Sequence, residues 1–313
     1  MIRIIFCFLL IHLSLVGCSV IHVKDRSQPE IKHNADTMFN ARNMDGEMRR
    51  RILILPFLNI SSYNNEELVT EARTFFVSQV EKMDLAVMIE PSAVGIENIE
   101  KYKNGAAYNM ADIVKKIKNS GVHAIVVGTV KDLKTGKRGD SVGIFRRVKA
   151  EIRAVAELKI ISVRSGQVME TDTQDSDMSE GSTKIAQRAY MDQDMKDDPT
   201  AVRFVVESAF EKTLPALFAT LKRFSWEGRV ALVKGERVYL NAGRVSGLQI
   251  GDLLRIVEEQ EEVFDPETSR SIGSVRGRMK GTVEVVSYFG NDGAVAQVHS
   301  GSGFHENDLV EFY

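Results

Sequence analysis

The chain has 313 residues, 43% of them hydrophobic and 27% charged, and its 41 lysines and arginines against 43 acids leave a formal charge of −2. This length suits roughly two domains, each with its own core, while the balanced charge supplies no global basic field of the kind that binds nucleic acid. The two cysteines, Cys7 and Cys18, both stand near the start, which excludes a disulfide framework, a cysteine-ligated zinc site and a cysteine nucleophile from the rest of the chain.

Residues 1–17 carry one early positive charge, Arg3, then an apolar run from Ile4 to Val16 interrupted by His12 and Ser14, then Gly17 ahead of Cys18. That is the layout of a secretory signal peptide cleaved between Gly17 and Cys18, and the run is shorter than the about 20 apolar residues of a spanning helix. Leu15-Val16-Gly17-Cys18 resembles the lipobox of bacterial lipoproteins, with Val16 a less usual choice at its place. The resemblance implies that Cys18 is acylated, palmitate included, and becomes the mature N-terminus. Ser19 is not the aspartate that retains many lipoproteins at the inner membrane, so the implied location is the inner leaflet of the outer membrane, facing the periplasm. A plain signal peptide with an incidental cysteine is the alternative. Several acyl chains, at about 0.8 kcal/mol per buried CH₂, hold a protein where one chain does not.

Residues 18–50, polar and without sustained periodicity, read as a lipidated N-terminus and tether, with an r.m.s. reach of about 30 Å if flexible. An arm that orders on a neighbouring subunit is the other reading of the same segment.

A first domain is expected over 51–224. Arg51 to Asn59 is an apolar run ending at a proline-containing segment, as a buried strand does. Asn64 with Glu67 forms a capping-box-like start to a helix whose stripe is Val69, Ala72, Phe76, Val80 and Met83. Leu85 to Ile89 then reads as a strand, Met110 to Lys118 as a helix with Ile113 and Ile117 on one face, and His123 to Val130 as a buried strand. From Val142 to Ile160 apolar residues hold nearly every even position and charged ones most odd positions, the period of a long half-buried strand. Arg164-Ser165-Gly166 turns it back through Gln167 to Thr173. After a polar loop, Asp198-Pro199 caps a helix with the stripe Val202, Val206, Phe210, Leu217 and Leu221 and a kink at Pro215.

Three of these pieces, ILILPFLN at 52–59, AIVVGTV at 124–130 and AELKIISVRSGQV at 156–168, resemble the curli-secretion lipoprotein family (CsgG). That group is related to the N-terminal domain of TolB, to the synthase activator LpoB and to the middle domain of the flagellar protein FlgT. The resemblance implies a mixed α/β sandwich and a homo-oligomer. In the curli family each subunit adds membrane-spanning hairpins to a secretion barrel, and the sequence can be tested for these. A spanning strand needs about 9–11 residues with an apolar alternate face. Arg146 falls on the apolar face ahead of the central strand and would cost about 2–4 kcal/mol at mid-bilayer. From Glu170 to Asp198 neither alternate face is apolar. No transmembrane barrel is therefore expected.

A second domain is expected over 225–313, where short strands alternate with glycine turns: 228–233, 237–241, 253–258, 272–275, 281–288, 294–299 and 308–313. This spacing suggests a small all-β barrel, with Asn291-Asp292-Gly293 as a hairpin turn. VYLNAGRVSGLQIGDLLRIV at 238–257 and DPETSRSIG at 265–273 resemble the C-terminal domain of FlgT. The whole chain thus reads as α+β, a CsgG/TolB-N-like sandwich followed by a barrel.

The residues offer no chemistry of their own. Lys134 to Arg138 lacks the glycine spacing of a phosphate loop. Asp175 to Gly181 puts its glycine one place late for a calcium loop, with Ala186 where a bidentate glutamate belongs. Arg138-Gly139-Asp140 is an adhesion tripeptide by letter only. His22, His33, His123, His299 and His305 form no HExxH pair and there is no GxSxG elbow. No enzyme, cofactor or metal is expected. The expected role is an outer-membrane-anchored scaffold or assembly component of an envelope machine, flagellar or export-associated. A curli-type secretion channel and an LpoB-like activator of a peptidoglycan synthase are the alternatives. Partner contacts are expected at Asp140, Phe145, Arg146, Asp177 and Tyr190, on the segments 136–147 and 170–198, since long loops often carry function.

Overall fold

The apolar run at the start of the first domain becomes β1 (Arg50–Ile54), and Ile52, Leu53, Ile54 and Leu55 are all buried, so both faces of this strand are covered. The structure, a computed structural model, describes residues 48–63, 65–139, 148–179, 198–259, 261–268, 271–275 and 277–313. Glu47–Tyr313 forms one compact unit.

After the short β2 (Leu58–Asn59), helix α1 (Glu66–Lys82) starts at Asn65, whose side chain accepts from the Leu68 amide at 3.1 Å, with Glu66 and Glu67 on the positive end of the helix dipole. The expected cap, Asn64, lies outside the described residues. Val69, Ala72, Phe76 and Val80 are buried as their spacing predicts, whereas Met83 is 52% exposed because the helix ends at Lys82. β3 (Ala86–Met88), two 3-10 turns and a ribbon of β4 (Lys103–Asn104) and β5 (Ala107–Tyr108) lead to α2 (Met110–Ile117), which buries Ile113 and Ile117.

Three long strands follow: β6 (Ala124–Gly139), β7 (Val148–Ser162) and β8 (Val168–Ser179). The sheet order is β3-β1-β6-β7-β8, with β2 alongside β6. β1 runs parallel to both its neighbours, while β6, β7 and β8 are antiparallel, with Val126 opposite Ile160 and Leu158 opposite Asp172. Two strands run further than expected. β8 continues to Ser179 through residues read as a polar loop, and β6 continues to Gly139, beyond the expected end at Val130. Neither extension needs an apolar face, because each is fixed by backbone pairing to β7, the two-sided strand between them.

Helices α3 (Pro199–Glu211) and α4 (Leu214–Arg223) complete this part. Asp198 caps α3, accepting from Thr200 N at 2.9 Å. The kink expected at Pro215 is a full break at Lys212 and Thr213, since proline has no N–H and its ring crowds the carbonyl four residues back. α1, α3 and α4 cover one sheet face; α2 covers the other only at its parallel end, around Leu53, Ile125 and Val127. Phe57, Phe76 and Phe210 cluster on the first face with ring centroids 4.5–6.3 Å apart. Gly128 lies under Phe57: a Cβ there would fall 2.6 Å from the ring.

β9 (Glu227–Lys234), β10 (Arg237–Leu240), β11 (Leu253–Val257), β14 (Met279–Phe289), β15 (Gly293–Gly301) and β16 (Leu309–Phe312) close a barrel in the order β10-β15-β14-β11-β16-β9. β12 (Glu261–Phe264), absent from the expected strands, pairs with β13 (Ser271–Val275) as a separate hairpin. Val230, Leu240, Leu254, Ile256, Val285 and Val310 fill the barrel, and Trp226 packs edge-on against Phe312 at 5.9 Å. The chain is therefore α+β. No helix among the described residues is long and apolar enough to cross a membrane.

Candidate functional site

Three consecutive arginines precede the apolar residues of β1, and each reaches toward the barrel end of the chain. Arg49 Nη1 donates to Val245 O at 2.9 Å and its other terminal nitrogen pairs with Asp84. Arg50 donates from Nε and Nη2 to Phe224 O at 3.0 and 2.9 Å, and Arg51 Nη1 donates to Asn241 O. Each carbonyl lies just before β9 or in the segment after β10, so the start of β1 is joined to the barrel by charge-assisted hydrogen bonds to backbone oxygen.

His123 stands at the centre of this junction. Its backbone N–H donates to Arg51 O at 2.8 Å, its Nδ1 lies 3.1 Å from Arg51 N, and its Nε2 lies 2.9 Å from Glu227 N, at the start of β9. A neutral imidazole has one lone-pair nitrogen and one N–H, so the ring accepts from one of these two amides at a time and the tautomer decides which. Burial, followed by the Arg50 and Arg51 charges, pushes this imidazole down to about 3, although a bond to the Arg51 backbone works the other way. Burial also lowers the Arg51 guanidinium below its ordinary value, and Asp292 partly opposes this.

Asn241 is the third tie. Its Oδ1 accepts from Arg229 N at 2.8 Å and its Nδ2 donates to Ser120 O at 3.1 Å, bridging β9 to the loop that enters β6. Gly121, at φ +75, allows the approach: a Cβ there would stand 2.6 Å from Asn241 Nδ2.

Beside these ties opens a cleft of about 300 Å³. Arg164, Arg223, Arg229 and Lys118 line it, with Glu227 and Glu259 among them and Val163, Met169 and Phe224 in its walls. Arg164 pairs with Glu227, Arg223 lies 3.7 Å from Glu170, and Arg229 Nη1 donates to Asn307 O at 2.9 Å.

Asp177, the one expected contact residue among the described residues, does not line this cleft. Asp177 is an exposed residue on β8, opposite Arg153 of β7. Asp140, Phe145, Arg146 and Tyr190, like Gly17 and Cys18, lie outside the described residues. Among the described residues no group of three or more histidines, cysteines or acids could hold a metal ion. His305 meets Lys280, with Nδ1 3.1 Å from Nζ, and Lys280 in turn pairs with Asp308. The junction residues carry no motif. Their one visible signal is the run Arg49-Arg50-Arg51 directly before an apolar strand, where three unpaired cations would be costly.

No protein-family model matches the chain, and no curated protein matches it in sequence. Solved structures with some likeness include the hypothetical protein CT253 from Chlamydia trachomatis, at 10% identity and a TM-score of 0.37, covering 55% of this chain and 98% of that one. Lipoprotein GNA1162 from Neisseria meningitidis matches at 14% and 0.29 over 53% of this chain and 99% of its own. The C-terminal domain of LpoB from Escherichia coli matches at 9% and 0.29 over 44% and 92%. At these scores the likenesses place the chain in no family.

Proposed function

We propose that this chain is a non-enzymatic, lipid-anchored periplasmic protein of the outer membrane, a scaffold or assembly component of a cell-envelope machine, with flagellar or export-associated assembly as the favoured setting. Cys18 is its anchor, the segment from 19 to about 47 its reach, since Arg49 and Arg50 are already tied to the folded part, and a homo-oligomer its working form. The observation that carries the reading is the junction around His123: buried polar ties spent on holding a sheet and a barrel together. A scaffold works by presenting surfaces at a fixed spacing, and such ties supply that spacing. The lipobox-like Leu15 to Cys18 supports the anchoring half of the reading.

The test has two arms. Cys18→Ala releases the protein from the membrane fraction, and crosslinking in intact cells followed by pull-down captures envelope-machine proteins. Unchanged fractionation of the variant sinks the anchor. Recovery of a peptidoglycan synthase as the main product would replace the machine with the synthase-activator role.

A further inference from the structure

The cleft beside the junction shares its wall with the ties, since His123, Phe224, Glu227 and Arg229 line it. Four cations line it against two carboxylates, and a concave surface with a surplus of one sign concentrates its field on the opposite one. Arg164 and Arg223 keep about half of their side chains exposed, at 45% and 57%, so both can turn toward a ligand. Val163, Met169 and Phe224 give the same cleft apolar wall.

We propose that this cleft docks an acidic segment of a partner protein, taking a carboxylate side chain among Arg164, Arg223 and Arg229 and the neighbouring apolar side chain against Val163, Met169 and Phe224. The resident contacts indicate the chemistry. Glu227 already holds Arg164, and a guanidinium with five N–H donors can take a peptide carboxylate as a second acceptor beside it. The Arg223–Glu170 contact, at 3.7 Å, is too long for a hydrogen bond and is readily surrendered. Arg229 has its charge disfavoured by burial and by Arg164, and favoured by Glu259 and Glu227, so a further carboxylate stabilises it. The volume, about 300 Å³, has room for two or three side chains of a peptide segment.

This inference rests on the scaffold reading, and its test separates the two. Fluorescein-labelled peptides of sequence Ser-Leu-Glu-Leu-Ser, and the same peptides with Gln for Glu, are titrated against the full chain by anisotropy. The Glu peptide is expected to bind about tenfold more tightly than its Gln twin and to weaken as salt rises. Arg223→Gln, a half-exposed position that leaves the core intact, removes most of that preference, and Arg237→Gln, an exposed cation on β10, leaves it unchanged. Equal binding of both peptides, binding of neither, or an Arg223→Gln protein that binds like the parent overturns the proposal. If crosslinking captures machine components while no Glu preference appears, the cleft fails and the scaffold reading stands. If the Glu peptide binds as expected while crosslinking captures no machine component, the scaffold reading fails and the cleft stands.

Discussion

The Nε2 of His123 stands 2.9 Å from the backbone nitrogen of Glu227, so a residue at the mouth of the central sheet meets the first residue of the barrel. Burial keeps this ring neutral and pushes its pKa down to about 3. The unfolded chain has an ordinary histidine near 6.5. Below that value the unfolded chain takes a proton that the folded one refuses. The contribution of His123 to stability is therefore complete above about pH 6.5 and is lost as pH falls toward about 3, with a slope on the order of 1 kcal/mol per pH unit. His123→Gln removes that slope while keeping an acceptor. In urea unfolding at pH 7 and pH 5 the parent is expected to lose more stability on acidification than the variant. Parallel losses would mean that the ring is solvated and titrates normally.

Asn241 and Gly121 should behave as a coupled pair. Asn241→Ala removes two hydrogen bonds and leaves Arg229 N and Ser120 O without their partner, at a cost of about 1–3 kcal/mol. Gly121→Ala costs backbone strain at φ +75 and sets a methyl 2.6 Å from Asn241 Nδ2. With Asn241 already truncated the steric part disappears, so the double variant should be more stable than the sum of the single effects predicts. Four guanidinium titrations decide this, and strict additivity would show that the two residues do not touch.

Alternation made much of the fold legible. Ile152, Ala154, Ala156, Leu158 and Ile160 are buried at the even positions where period two puts them, and most barrel strands begin and end at the glycines and turn residues that punctuate them. β12 escaped because Glu261-Glu262-Val263-Phe264 has too few apolar residues to show a period. The far half of β8 escaped because it is an edge strand, held by pairing with β7 while its acids face water. The junction was not legible for a different reason. His123, Asn241 and Gly121 lie 118 or more positions apart at the extremes and meet only through topology; nothing local to any of them marks a long-range partner. The run of three arginines at 49–51 stands out in the sequence, but their carbonyl partners, at 224, 241 and 245, are supplied only by the fold.

Lys280 and Asp308 form a pair whose side chains are only 9% and 5% exposed, with Nζ 2.8 and 2.9 Å from the two carboxylate oxygens. Removing one partner strands the other charge in a poorly hydrated place. Lys280→Met is expected to cost about 3–5 kcal/mol, and adding Asp308→Asn, which retains an acceptor for His305 N at the site of its 2.7 Å contact, should recover a large part of it. Thermal unfolding of the two proteins measures the difference. A Lys280→Met protein as stable as its parent would show that the carboxylate is hydrated without the lysine.

Gly128 and Phe57 test the other end of the sheet. The ring of Phe57 occupies the space that a side chain at position 128 would need, and it is held there by Phe210 at 4.5 Å and Phe76 at 5.6 Å. It cannot move aside without opening that cluster, so Gly128→Ala should be destabilising by about 1–3 kcal/mol, the range for overpacking a closed core. Phe57→Leu alone leaves a void and costs a comparable amount. Combined, the extra methyl enters space that the smaller side chain vacates. The double variant should then unfold at a higher denaturant concentration than Gly128→Ala alone, an ordering that simple accumulation of two destabilising changes would reverse.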